Sequence, residues 1–156
     1  MIISWEEYFM GVAMMSAFRS KDPSTQVGAC IVNTDKKIIS LGYNGFPFSK
    51  DDNDKLYPWG REGNLLDTKY PYVVHAELNA ILNSRADLRG CTIYVTLFPC
   101  NECCKAIVQS GIKEMVYVSN KYADTDSTKA SAKMLENAGI VCRQYKMSGK
   151  EISLKI

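Results

Sequence analysis

Residues 91–119 read CTIYVTLFPCNECCKAIVQSGIKEMVYVS, and the order of residue types in this stretch decides the architecture. A run rich in β-branched and aromatic residues over 92–96 predicts a strand, which the turn at Pro99 closes. The spacing that follows predicts a helix over 101–110, stopped by Gly111, and then a strand over 115–118. A strand, a helix and a strand joined by short links make a crossover, which places the two strands parallel and turns right-handed. The pattern repeats downstream, with a helix over 126–138 stopped by Gly139 and a strand over 141–145.

Upstream the pattern changes. Ser4 followed by Glu7 reads as a capping box, and Trp5, Tyr8, Phe9, Val12, Met15 and Phe18 recur at helical spacing, which predicts an amphipathic first helix. After Asp22 and Pro23, strand-like runs over 27–32 and 37–43 flank Asn33-Thr34-Asp35-Lys36, as in an antiparallel hairpin. A further helix is predicted over 74–83. Together the elements predict an α/β fold, a three-layer α/β/α sandwich around a mixed five-stranded sheet, with the hairpin at one side and the parallel strands at the other.

Between hairpin and helix, residues 46–73 lose periodicity and collect Pro47, Asp51, Asp52, Asn53, Asp54, Pro58, Gly60, Gly63 and Pro71. That is too long for an inert connection in a compact domain, so the segment reads as a functional loop. The tail over 152–156 alternates apolar and polar residues and predicts an edge strand or a subunit contact.

The 156 residues, 46% of them hydrophobic, suffice for one domain spanning 1–156 with a single core. Charged residues nearly cancel to +2, which leaves no broad basic field for capturing nucleic acid. No apolar run is long enough to span a bilayer, and the first residues do not read as a cleavable leader, so a soluble, cytoplasmic protein is expected. In that setting six cysteines are expected as thiols rather than disulfides. Cys30, Cys91 and Cys142 sit in or beside apolar runs and are assigned to the core.

Cys100, Cys103 and Cys104 crowd into one polar stretch, and the sole histidine lies upstream in His75-Ala76-Glu77. Residues two apart on a helix point roughly 200° from one another, so His75 and Glu77 converge only beyond a helix tip. Cys100 and Cys103, three apart, point within about 60° of each other and can grip one ion at the tip of the next helix. The positive end of each helix favours thiolate over thiol. One imidazole and two thiolates leave a fourth tetrahedral position of zinc for water, the pattern of a catalytic site. Glu77, left unligated, is the candidate proton carrier. Cys104 offers the alternatives: a fourth ligand closing a structural site, a replacement for Cys103, or a thiol packed behind the site. A two-histidine zinc finger is excluded by the histidine count.

The ordered pair of motifs resembles the signature of zinc nucleobase deaminases. More narrowly, the chain resembles the deoxycytidylate (dCMP) deaminase family in Ser20-Lys21-Asp22-Pro23-Ser24, Gly42-Tyr43-Asn44-Gly45, Lys69-Tyr70-Pro71-Tyr72, His75-Ala76-Glu77-Leu78-Asn79-Ala80, Phe98-Pro99-Cys100-Asn101-Glu102-Cys103 and Ser119-Asn120-Lys121-Tyr122. The resemblance implies hydrolysis of dCMP to dUMP and ammonia, a supply step for thymidylate synthesis. It implies Asn44 at the sugar, the backbone around Ala76 at the base, and Lys21, Ser24 and Tyr122 near the phosphate. It further implies a homohexamer activated by dCTP and inhibited by dTTP through the segment Gly42, Tyr43, Asn44 and Gly45, with Mg2+ accompanying the triphosphate. Some phage relatives bind a second zinc through the loop before H-x-E; residues 46–73 here hold neither cysteine nor histidine, so one zinc per chain is expected. Two other readings stay open. A deaminase of bases in tRNA or single-stranded DNA would use Trp59 and Arg61 in the long loop, and a catalytically silent zinc- or nucleotide-binding subunit would have no use for Glu77.

Overall fold

The computed structural model describes residues 1–51 and 53–156; Asp52, one of the polar residues of the long loop, lies outside the described residues. Helix α1 (Trp5–Ala17) starts at the expected capping box, with the Ser4 N–H donating to Glu7 at 2.6 Å and the Glu7 N–H to Ser4 Oγ at 3.1 Å. Strands β1 (Gly28–Val32) and β2 (Ile38–Tyr43) form the expected antiparallel hairpin. Asn33 closes its turn by accepting from the N–H groups of Asp35 and Lys37. The long loop holds a short helix α2 (Asn53–Leu56) and a single 3-10 turn (Leu65–Asp67). Then come α3 (Ala76–Asn83), β3 (Thr92–Leu97), α4 (Asn101–Gln109), β4 (Glu114–Ser119), α5 (Asp126–Asn137) and β5 (Val141–Gln144).

The strands form one five-stranded sheet in the order β2-β1-β3-β4-β5. β1 is antiparallel to both β2 and β3, while β3, β4 and β5 are parallel, which is the expected mixed sheet. Because side chains alternate across a strand, the sheet feeds two cores. Cys30, Val32, Tyr94 and Val116 face Phe9, Met10 and Ala13 of α1. Ala29, Ile31, Ile93, Val95 and Met115 face Ala76, Ala80, Cys104, Ile107 and Leu135 on the three later helices. No helix among the described residues is long and apolar enough to cross a membrane.

Three details differ from the sequence reading. The buried stripe of α1 is Phe9, Met10, Ala13 and Ala17, whereas Trp5, Tyr8, Met15 and Phe18 are exposed. Close approach decides this. A Cβ on Gly28 would lie 1.8 Å from the Ala13 carbonyl oxygen, so α1 meets the sheet closely at Ala13 and Ala17; Phe9 and Met10 are buried on the same face, and Trp5, Tyr8, Met15 and Phe18 turn outward. The tail over 152–156 forms no strand; it is exposed, and Lys150 just before it pairs with Glu7 of α1 at 2.9 Å. Cys142 is exposed rather than in the core, because β5 is the sheet's outer strand; Cys30 and Cys91 are buried as expected.

Candidate active site

Both halves of the metal motif sit at helix caps. His75 is the N-cap of α3 and Cys100 the N-cap of α4, each in extended backbone just before its helix. β3 delivers the second tip and α3, packed on β2, delivers the first. Gly42 permits that packing, since a Cβ there would lie 2.2 Å from the Ala76 carbonyl oxygen. His75 Nδ1 then lies 3.3 Å from Cys100 Sγ and 3.5 Å from Cys103 Sγ, and the three donor atoms fall within 4.8 Å of one another. One imidazole nitrogen and two sulfurs at this spacing are a donor set suited to zinc.

The electrostatics suit a cation as well. The hydrogen bond from Cys103 outweighs burial and, with His75, holds the Cys100 thiol below its ordinary value, which favours the thiolate there. That same bond, together with burial, pushes Cys103 up. The hydrogen bond with Cys100 raises His75 against the opposing effect of burial. Glu77, in the first turn of α3, is 4% exposed, and desolvation pushes its carboxyl up to about 7. Cys104 lies away from the three donors: fully buried, it donates to the Ser131 carbonyl at 3.4 Å and packs behind the site, so it is not a fourth ligand.

His75, Glu77 and Cys100 open onto a cavity of about 400 Å3, which Asn44, Ala76 and Tyr122 also line. Asn44 is not in a positive-φ turn, the conformation that its pairing with glycine favours. It is buried, accepts from the Val27 N–H at 2.8 Å and donates to the Thr25 carbonyl at 2.9 Å. Lys21 and Ser24 are exposed and do not line the cavity. Tyr43 lies on the surface with its carbonyl accepting from Asn79, and Gly45 bridges Val74.

The sequence reading missed the cavity's charged wall. Lys69 Nζ lies 2.5 Å from Asp22 Oδ2, with the side chains 9% and 2% exposed. Burial alone would raise the Asp22 carboxyl, but bonds from Lys69 and the Ser24 and Thr25 N–H groups hold it below its ordinary value. Arg61 and Tyr70 stand beside this pair, with Arg61 Nε donating to Tyr70 Oη at 3.3 Å. The signal lay in the length of the loop over 46–73, which supplies Arg61, Lys69, Tyr70 and Val73. Trp59 does not face the cavity. It packs on Phe46 with ring centres 3.9 Å apart, and Tyr57 bridges Phe46 to Tyr72, giving the loop an aromatic core of its own.

The sequence model of the cytidine and deoxycytidylate deaminase zinc-binding region matches residues 3–119. Mouse deoxycytidylate deaminase is 57% identical over 145 residues, covering 92% of this chain and 80% of that protein. The human deoxycytidylate deaminase is 54% identical over the same shares. Among solved structures, the dCMP deaminase of cyanophage S-TIM5, in complex with dCMP and dUMP, is 25% identical with a TM-score of 0.71, covering 93% of this chain and 99% of that one.

Proposed function

Because the chain belongs to the cytidine and deoxycytidylate deaminase zinc-binding family, we propose that it hydrolyses dCMP to dUMP and ammonia, a source of dUMP for thymidylate synthesis. The observation that carries this reading is a buried carboxyl, Glu77, opening with His75 and Cys100 onto one cavity, with the buried Cys103 sulfur completing the donor group beside them. Those three residues would hold one zinc per chain, and no cysteine or histidine in 46–73 offers a second site. Zinc so held supplies Lewis acidity that makes water a nucleophile near neutral pH.

The remaining chemistry belongs to the chain. As the water oxygen bonds to C4 of the base, Glu77 takes the water's proton and delivers it to ring nitrogen N3. As the C4–N4 bond breaks, Glu77 carries the second proton to the departing nitrogen, which leaves as ammonia. A carboxyl withdrawn from solvent exchanges protons with the substrate rather than with bulk water. The backbone around Ala76 reads the base. Asn44, its amide fixed by Val27 and Thr25, meets the sugar; Tyr122 lines the same cavity.

Family resemblance also supports a homohexamer regulated by dCTP and dTTP through Gly42, Tyr43, Asn44 and Gly45, with Mg2+ accompanying the triphosphate. Six free cysteines fit a reducing, cytoplasmic location. Trp59, which kept an oligonucleotide substrate in view, stacks within its own loop.

The test is to incubate purified protein with dCMP, cytidine, dCTP and an RNA or DNA oligonucleotide, following ammonia and deaminated product. Turnover of dCMP is expected; turnover of an oligonucleotide without any free nucleotide would overturn the assignment.

A further inference from the structure

We propose that Arg61 binds the phosphate of the substrate and thereby sets the preference for a nucleotide over a nucleoside; this rests on the dCMP reading. A phosphate monoester carries close to two negative charges at neutral pH and is held by charge-assisted hydrogen bonds. The cavity must therefore present a cation whose charge is not already matched by the protein.

An inventory of the lining leaves one. His75, Cys100 and Glu77 occupy the end where the amine is lost. Lys69 is cationic, but it is buried against Asp22 at 2.5 Å, so that pair is neutral as a unit. Arg61 is exposed at the wall, forms no salt bridge with a carboxylate among the described residues, and donates through Nε to Tyr70. A guanidinium fixed at Nε still directs its terminal N–H groups outward, in the planar fork that matches two phosphate oxygens.

Position supports the charge argument. The Lys69 N–H donates to the Gly60 carbonyl at 2.9 Å, which ties the residue before Arg61 to the buried pair. The aromatic core of Phe46, Tyr57, Trp59 and Tyr72 stiffens the same loop. Tyr70 and Tyr122 also line the cavity and carry hydroxyls that can share the remaining phosphate oxygens, whereas the Thr125 hydroxyl is already donated to the Tyr122 carbonyl at 2.8 Å. Lys21 and Ser24, nominated by resemblance, lie outside the lining, and the Ser24 N–H is already bonded to Asp22.

The experiment compares the zinc-loaded parent with Arg61→Gln, Arg61→Lys and Lys21→Ala. It measures kcat and KM for dCMP and for deoxycytidine, the affinity for dUMP by calorimetry, and the melting temperature of each variant. Arg61→Gln is expected to melt with the parent, to raise the dCMP KM and the dUMP Kd together by roughly 10- to 100-fold, and to change deoxycytidine kcat/KM far less. Arg61→Lys, which keeps the charge but loses the fork, should fall between. An unchanged dCMP KM in Arg61→Gln, an equal loss on both substrates, or a selective loss that follows Lys21→Ala overturns the assignment. A parent inactive on dCMP refutes the dCMP reading itself, so the two failures are distinguishable.

Discussion

At Glu77 the fold withdraws a carboxyl group from water and sets it beside an imidazole and two thiols. Glu77→Gln keeps the shape and removes the proton carrier, so kcat for dCMP should fall roughly 10^2- to 10^4-fold while zinc content, read by elemental analysis, stays at the parental level. Cys104→Ser should also keep its zinc, because Cys104 bonds to Ser131 behind the site, whereas Cys103→Ala should lose it. The meeting of His75, Cys100 and Cys103 was legible from the sequence because helix-cap placement is local: His75 and Cys100 each stand just before the helix that the following residues form. Arg61 was legible only as a loop cation and the Asp22–Lys69 pair not at all, since residues 47 apart meet only when the aperiodic loop over 46–73 folds back on the segment after α1.

The elements themselves followed the apolar periodicities, and the hairpin, the crossovers and their order are those read from the sequence. What periodicity did not give was the face of α1, where of the six apolar residues read as a stripe Phe9 alone is buried, and Met10, Ala13 and Ala17 complete the core face. Distance decided that, and spacing carries no information on how near a neighbouring backbone lies. Gly28→Ala tests the point. Its Cβ would meet the Ala13 carbonyl oxygen and force α1 outward, at a cost of about 1–3 kcal/mol. At roughly 2–4 °C per kcal/mol for a chain of this size, the melting temperature should fall by several degrees, measurable by circular dichroism.

At the scale of the molecule, the buried ion pair of Asp22 with Lys69 ties the loop over 46–73 to the segment that follows α1. Since the folded-state pKa of Asp22 lies below its ordinary value of 3.8, the pair's stabilisation is complete above that value and is lost as pH falls through the lower, folded one. The urea midpoint should therefore hold this contribution down to about pH 4 and lose it below. Lys69→Met strands a buried carboxylate and should cost about 3–5 kcal/mol at neutral pH, with partial recovery when Asp22→Asn is added. The two helix caps carry a different consequence. Two of the three candidate donors, His75 and Cys100, precede their helices, so an ion held there would clamp the opening turns of α3 and α4 and leave the sheet alone. Chelation should accordingly speed deuterium uptake at the amides of 76–79 and 101–104, while β1 and β3 keep their protection: the catalytic centre can fray without the scaffold noticing.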